Sequence, residues 1–397
     1  MKKFVILLLV VCLLFAGFVS WQTVDFKKPV VENEADEQQI QQETVQANIR
    51  SLNAEKLYAA YAPEQVVMTV NGQDVTWKDF FYFINSNAAS VSSYFANMQA
   101  YGMPADWEDE LEAGETYQDY VVNYAREIIL QLIAIEGFAD KNGAGISPED
   151  QQAIDAETEA IKTAAFGEGA SDEQFEEYLS QMYMNAELYE RMAKVNYLYQ
   201  NGFTAVYGEN GAFVTEEDAM AYLEDKGYMS ANHILYLTTD MATGEELDAA
   251  ALEDKQAAAG QMSEYLRTLE VEDKEELVAR FEELKAEQCE DTGKTAYPSG
   301  YVFLPGTMVT EFEDATKALA DYEVSEPVKS PYGYHVIIRL PLDVDAVVEY
   351  SSDGTPLTAR SLFANEQYAK NMQEYHDSLE IKMAPEFENF SIADYLE

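Results

Sequence analysis

Two short segments that lie far apart in the chain constrain its fold most: Ala231-Asn232-His233-Ile234-Leu235 and Tyr332-Gly333-Tyr334-His335-Val336-Ile337-Ile338. Each alternates like a strand and each carries a histidine, in a sequence that has only three. Successive side chains of a strand point to opposite faces, so His233 shares a face with Leu235 and Leu237, and His335 shares one with Ile337 and Arg339. If the two strands are neighbours, the imidazoles meet at the centre of one sheet, and the chain between them folds as a single small unit. The plainer alternative, two satisfied core histidines with no chemistry, stays open for each.

The intervening chain has the periods such a unit requires. Ser230 to Thr238 reads as a strand. Amphipathic helices are predicted over Gly244 to Leu269, Asp273 to Gln288 and Met308 to Leu319, and Tyr334 to Leu340 closes the sheet. Three further motifs fall in order between the histidines: Cys289-Glu290-Asp291, Phe303-Leu304-Pro305-Gly306-Thr307-Met308 and Phe312-Glu313-Asp314-Ala315. This ordered set resembles the parvulin family of peptidyl-prolyl isomerases.

The resemblance implies a small antiparallel sheet surrounded by helices, and it implies roles for particular residues. His233 and His335 would form a hydrogen-bonded support beneath the active site, with the Ser330 hydroxyl fixing a tautomer. Asp291 would stand near the substrate carbonyl, although its spacing also suits an exposed loop carboxylate. Phe303, Met308 and Phe312 would form the proline pocket, with Met308 and Phe312 four apart on one helix. Twisting a C–N bond against a barrier of about 18–20 kcal/mol needs no acid, base or covalent step in principle; the catalyst need only prefer the twisted amide. No cofactor is called for, and no HxxxH or CxxC pair accompanies the histidines to make a zinc site. His376 reads as a polar-face residue of a later helix.

One departure from the family stands out. Where parvulins carry Gly-Gly-x-Leu-Gly, this chain has Ala296-Tyr297-Pro298-Ser299-Gly300-Tyr301-Val302-Phe303. Ungapped counting puts Gly300 at the leucine position, so a leucine restored there is expected to raise turnover. A shift of one residue puts Tyr301 there instead. Cys289 stands where the family often has serine; no histidine lies beside it in sequence, so it reads as a small buried residue rather than a nucleophile.

The N-terminus supplies the expected compartment. Met1-Lys2-Lys3 precedes an uncharged apolar run from Phe4 to Val19, followed by Trp21. The run is barely long enough for a hydrocarbon core of about 30 Å, and Phe15 and Phe18 occupy places where a cleavage site favours small residues. Residues 1–21 are therefore expected to be an uncleaved membrane anchor with the bulk of the chain extracellular, or a secretory signal if cleaved. Cys289 is the only cysteine beyond the run, so the exported part has no internal disulfide and depends on packed cores. The formal charge of −48 excludes nucleic acid as a partner, because its binding requires Lys and Arg to neutralise phosphates.

Residues 22–63 read as a polar linker rich in Glu, Gln and Asn. A strand with an Asn-Gly turn at Val66 to Val75 opens a mostly helical region over 64–228. Thr76 and Asp79, Ser147-Pro148, and Thr215 with Asp218 mark helix starts. Residues 229–345 are the parvulin-like unit. Residues 346–397 contain a helix from Thr358 to Leu379 and the anchors Phe387, Phe390 and Tyr395, expected to pack on the N-terminal helical domain. The fold class is α+β, and the order of parts is similar to the extracytoplasmic foldases of the PrsA and SurA type.

The resemblance implies a membrane-anchored foldase that isomerises Xaa-Pro bonds of unfolded or partly folded exported proteins. The alternative is a non-catalytic holding chaperone or assembly factor with a degenerate parvulin domain. A homodimer through the helical domain is left open.

Overall fold

The computed structural model describes residues 50–397 except Ala113 and Met241, so the expected anchor at 1–21 and much of the expected linker lie outside the described residues. The chain forms two compact units. One is the chain up to Val206 together with Tyr368–Glu397, and the other is Tyr207–Gln367.

In the first unit, α1 (Ala54–Tyr58) leads to a hairpin of β1 (Val66–Val70) and β2 (Gln73–Thr76) turned at Asn71-Gly72. In α2 (Trp77–Ala100), Trp77, Phe80, Phe81 and Ile84 are buried along one stripe, at the helical spacing seen in the sequence. A short ribbon of β3 (Glu110–Glu112) and β4 (Glu115–Thr116) precedes α3 (Tyr117–Lys141), α4 (Pro148–Phe166), α5 (Asp172–Gln181) and α6 (Ala186–Tyr207). Reciprocal capping boxes start α3, α4 and α5 at Thr116, Ser147 and Ser171. At Thr76, which with Asp79 marks the start of α2, no such box forms. That hydroxyl donates to Asp79 Oδ2 at 3.0 Å instead of accepting a backbone N–H, while Asn185 binds the other carboxylate oxygen.

The second unit begins before the strands, with α7 (Glu216–Lys226), and then runs through β5 (Met229–Leu237), α8 (Ala249–Thr268), α9 (Lys274–Gln288), β6 (Tyr301–Phe303), α10 (Thr310–Ala318), β7 (Val328–Lys329) and β8 (Gly333–Leu340). A hairpin of β9 (Val347–Tyr350) and β10 (Pro356–Thr358) precedes α11 (Ala359–Asp377), which begins in this unit and ends in the first. Contact thus draws this unit wider than the 229–345 span of the motifs. Its sheet runs β6–β5–β8–β7, antiparallel throughout. One face packs Ile234, Tyr236, Val336 and Ile338 against Leu266 of α8 and Leu277 and Phe281 of α9. On the other face, Met229, Ala231 and Ile337 meet Phe303 and Phe312.

From Tyr368 the chain rejoins the first unit. Tyr368 donates its hydroxyl to the Tyr199 carbonyl at 2.7 Å, and β11 (Ile381–Met383) pairs antiparallel with β1, with Met383 opposite Met68. Phe387 and Phe390 then close an aromatic cluster with Tyr61 and Trp77. The sheet β11–β1–β2 therefore combines strands from both ends of the described chain. Among the described residues no helix is long and apolar enough to cross a membrane.

Candidate active site

The register of β5 on β8 decides where the histidines lie. His233 is opposite Ile337 and His335 is opposite Leu235, so the two rings sit diagonally on one face. They meet edge to face, with centroids 5.1 Å apart and planes at 83°. They do not form the hydrogen-bonded pair that the family resemblance implied: neither ring nitrogen of His233, nor Nδ1 of His335, has a hydrogen-bond partner. The perpendicular packing points no nitrogen lone pair at the other ring's N–H.

Ser330 Oγ lies 2.7 Å from His335 Nε2 and accepts the Tyr332 N–H at 3.1 Å. Assigning the hydroxyl proton to Nε2 places the His335 proton on Nδ1. Burial, reinforced by His233, lowers the His335 pKa to about 3, so this ring is neutral at ordinary pH. His233 is shifted the other way. Its burial, at 6% exposure, disfavours charge, but Asp291 and Cys289 beside it outweigh that and raise its pKa. The two imidazoles are thus pushed apart in pKa by their surroundings.

Asp291 is no loose surface acid. Its Oδ1 accepts the Gly293 N–H at 2.8 Å, its Oδ2 accepts the Tyr301 hydroxyl at 2.7 Å, and Oδ2 stands 3.2 Å from His233 Nε2, near enough for charge attraction although off the line of a hydrogen bond. His233, partly opposed by burial and assisted by these donors, holds the carboxyl far below the usual carboxylate range. Asp291 is accordingly a fixed anion. Cys289, without a histidine neighbour in sequence, has His233 beside it in space; its sulfur accepts the Leu235 N–H at 3.3 Å. Burial pushes that thiol up, but His233 and the backbone donors pull it further down. The side chain is buried beneath the site and does not line it.

A cleft of about 390 Å³ opens above this array. Leu235, Leu237, Met308, Val309 and Phe312 make its apolar side, His233, Asp291 and Tyr301 its polar side, and Tyr332, 58% exposed, stands at the rim. Met308 and Phe312 both line it, but not from one helix. The helix predicted from Met308 starts at Thr310 after Val309, so Met308 belongs to the preceding loop. Phe303 does not line the cleft; it packs behind Phe312 with ring centroids 5.7 Å apart. Ser330 likewise lies behind His335 rather than on the wall.

The expectation for Gly300 is overturned. Gly300 has φ +104°, and a Cβ there would lie 2.6 Å from the Ala231 carbonyl oxygen and 2.9 Å from Asn232 Cβ. No leucine fits where β6 approaches β5 this closely, and the cleft wall falls to Tyr301.

Three residues contribute to the site beyond those given roles from the sequence. Leu235 and Leu237 were legible as members of the His233 face. Glu313 was not: this buried carboxylate accepts the Gly306 N–H at 2.7 Å and the Met308 N–H at 3.1 Å through one oxygen, holding the loop that presents Met308. Among the described residues no group of three or more His, Cys, Asp or Glu is arranged to hold a metal ion.

Residues 233–340 match the family described as Rotamase: PPIC-type PPIASE domain, so the chain carries a parvulin-type domain. Foldase protein PrsA 1 of Bacillus cereus is 54% identical over 59 residues, 14% of this chain and only 20% of that protein's length. Foldase protein PrsA of Caldanaerobacter subterraneus subsp. tengcongensis is 25% identical over 323 residues, covering 79% of this chain and 84% of its own. A crystal structure of PrsA from Bacillus subtilis is 20% identical, covering 80% of this chain and 91% of its own, with a TM-score of 0.26. The chain is similar to PrsA- and SurA-like foldases, as an α+β protein with a PpiC domain.

Proposed function

We propose that this chain is an extracytoplasmic foldase, held at the membrane by residues 1–21, that isomerises Xaa-Pro bonds in exported proteins. The observation that carries this reading is one cleft with an apolar side at Met308 and Phe312 and a fixed anion, Asp291, on the other. The apolar side suits a proline ring, and the anion suits the change that rotation brings. A planar amide places negative charge on its carbonyl oxygen through resonance, and twisting the C–N bond withdraws it. An anion held near that oxygen is repelled more by the planar amide than by the twisted one, so it lowers the barrier without bond chemistry. The neutral His335 and the charge-sharing His233 hold the floor in place beneath it. The names of the PrsA relatives support the foldase part of the reading.

The test is isomerase activity of the full chain on a panel of Xaa-Pro peptides. Met308→Ala is expected to raise KM, and Asp291→Ala to lower kcat about tenfold or more by removing the electrostatic contribution. Wild-type turnover no faster than the uncatalysed rate would overturn the reading.

A second reading, a holding chaperone, is favoured by exposed Tyr101 (80%) and Met103 (54%) in the first unit, since soft and aromatic side chains adapt to unfolded chains. Suppression of aggregation that survives Asp291→Ala would place holding apart from isomerisation.

A further inference from the structure

Gly300 leaves the cleft without the aliphatic wall of the family pattern, and Tyr301 stands in the space. Its ring lies nearly parallel to that of His233, at 18° and 5.7 Å between centroids, and its hydroxyl donates to Asp291 Oδ2 at 2.7 Å. The contact is built for from two sides. Gly293, which donates its N–H to Asp291 Oδ1, also makes room for the phenol: a Cβ at 293 would run into the Tyr301 hydroxyl. Behind the ring, the buried Lys285 ammonium lies 5.7 Å from the Tyr301 centroid and donates to the Tyr297 carbonyl at 2.6 Å and the Pro298 carbonyl at 3.2 Å. The lysine thereby fixes the segment that delivers Gly300 and Tyr301 to the cleft.

We propose that Tyr301 is a positioning residue of this site, its ring replacing the missing aliphatic wall and its hydroxyl pinning Asp291 Oδ2 so that the anion faces the cleft. The proposal rests on the isomerase reading for its effect on turnover, but not for its effect on Asp291. An unpinned carboxylate loses one donor to its charged form and rotates within the pocket. The low carboxyl pKa and the raised His233 pKa, which support each other, then both relax.

Two measurements on the full chain decide it. Without substrate, NMR titration of the Asp291 carboxyl carbon is expected to show its midpoint rising by about one unit in Tyr301→Phe. The same direction is expected in Gly293→Ala, which keeps the phenol but displaces it. An unchanged Asp291 midpoint in either variant, once folded, overturns the proposal even if the wild type proves inactive, so failure of the isomerase reading is told apart from failure of this one. With peptide substrate, Tyr301→Phe keeps the aromatic wall, so KM should stay within about twofold while kcat falls roughly tenfold. The acid limb of the kcat profile should move to higher pH. Loss confined to KM would mark Tyr301 as wall alone and overturn the positioning role.

Discussion

On one face of the β6–β5–β8–β7 sheet, Ile234, Tyr236, Val336 and Ile338 pack on α8 and α9 as an ordinary apolar core. One residue along each strand, the other face presents His233 and His335, where both ring nitrogens of His233 and Nδ1 of His335 lack hydrogen-bond partners. Burying an imidazole without satisfying it costs free energy that an aliphatic residue would not cost. The polar face has therefore given up stability that the apolar face supplies. The difference teaches that a two-residue period can separate folding from chemistry within single strands, and that it places the charged array on a floor backed by a packed apolar core.

The largest expected effect breaks the supporting face. Phe281→Ala removes a fully buried ring from that core and should destabilise the second unit by about 3–5 kcal/mol in urea denaturation. The His233 and His335 ring signals of the folded variant should stay where they are, since the cavity lies on the opposite face. Displaced ring signals would mean that the faces are not separable.

The next effect sharpens the cost of the polar face. His335 has a folded pKa lowered from 6.5 to about 3, so between those values the unfolded chain binds a proton that the folded chain does not. Stability of the second unit should accordingly fall as pH drops through that window, by up to a few kcal/mol, and the slope between about pH 6.5 and 4 should be flatter in His335→Gln than in the wild type, whose carboxylates titrate alike. His233, raised above 6.5, acts in a different window: its contribution is present at low pH and is lost as pH rises through its folded pKa. A wild-type stability that is level from pH 6.5 to 4 would show that the burial of His335 carries no such cost.

The smallest effect concerns the loop that joins the faces' chemistry to the proline wall. Glu313→Ala leaves the Gly306 and Met308 N–H groups without their shared acceptor and should cost about 1–3 kcal/mol, with a raised KM for Xaa-Pro peptides. Glu313→Gln keeps an acceptor oxygen and should recover most of both. Equal loss in the two variants would assign the effect to the charge, which also meets Lys317 at 3.4 Å, rather than to the loop.

Much of the site was legible because it lies in strands and in short local motifs. Alternation alone places Leu235 and Leu237 beside His233, and the order of motifs brings Asp291, Met308 and Phe312 to one cleft. What escaped depends on backbone detail. Gly300 reads as an available leucine position until its φ and its approach to Ala231 are known. Met308 reads as helical because the i,i+4 spacing to Phe312 continues one residue pair beyond the true start of α10. Phe303 reads as pocket wall, yet strand pleat and Phe312 place it one layer deeper.

By itself, then, the sequence determined most of the helices, the two histidine strands, the face on which each histidine lies and the parvulin-like character of residues 229–345, because periodicity and short motifs are local properties of the chain. Only the tertiary structure decided that the imidazoles meet edge to face without a hydrogen bond, that Asp291 is tied to Tyr301 and His233, and that β11 completes the first unit's sheet. Those outcomes depend on strand register and on the side-chain geometry of residues distant in sequence, and no local pattern encodes either.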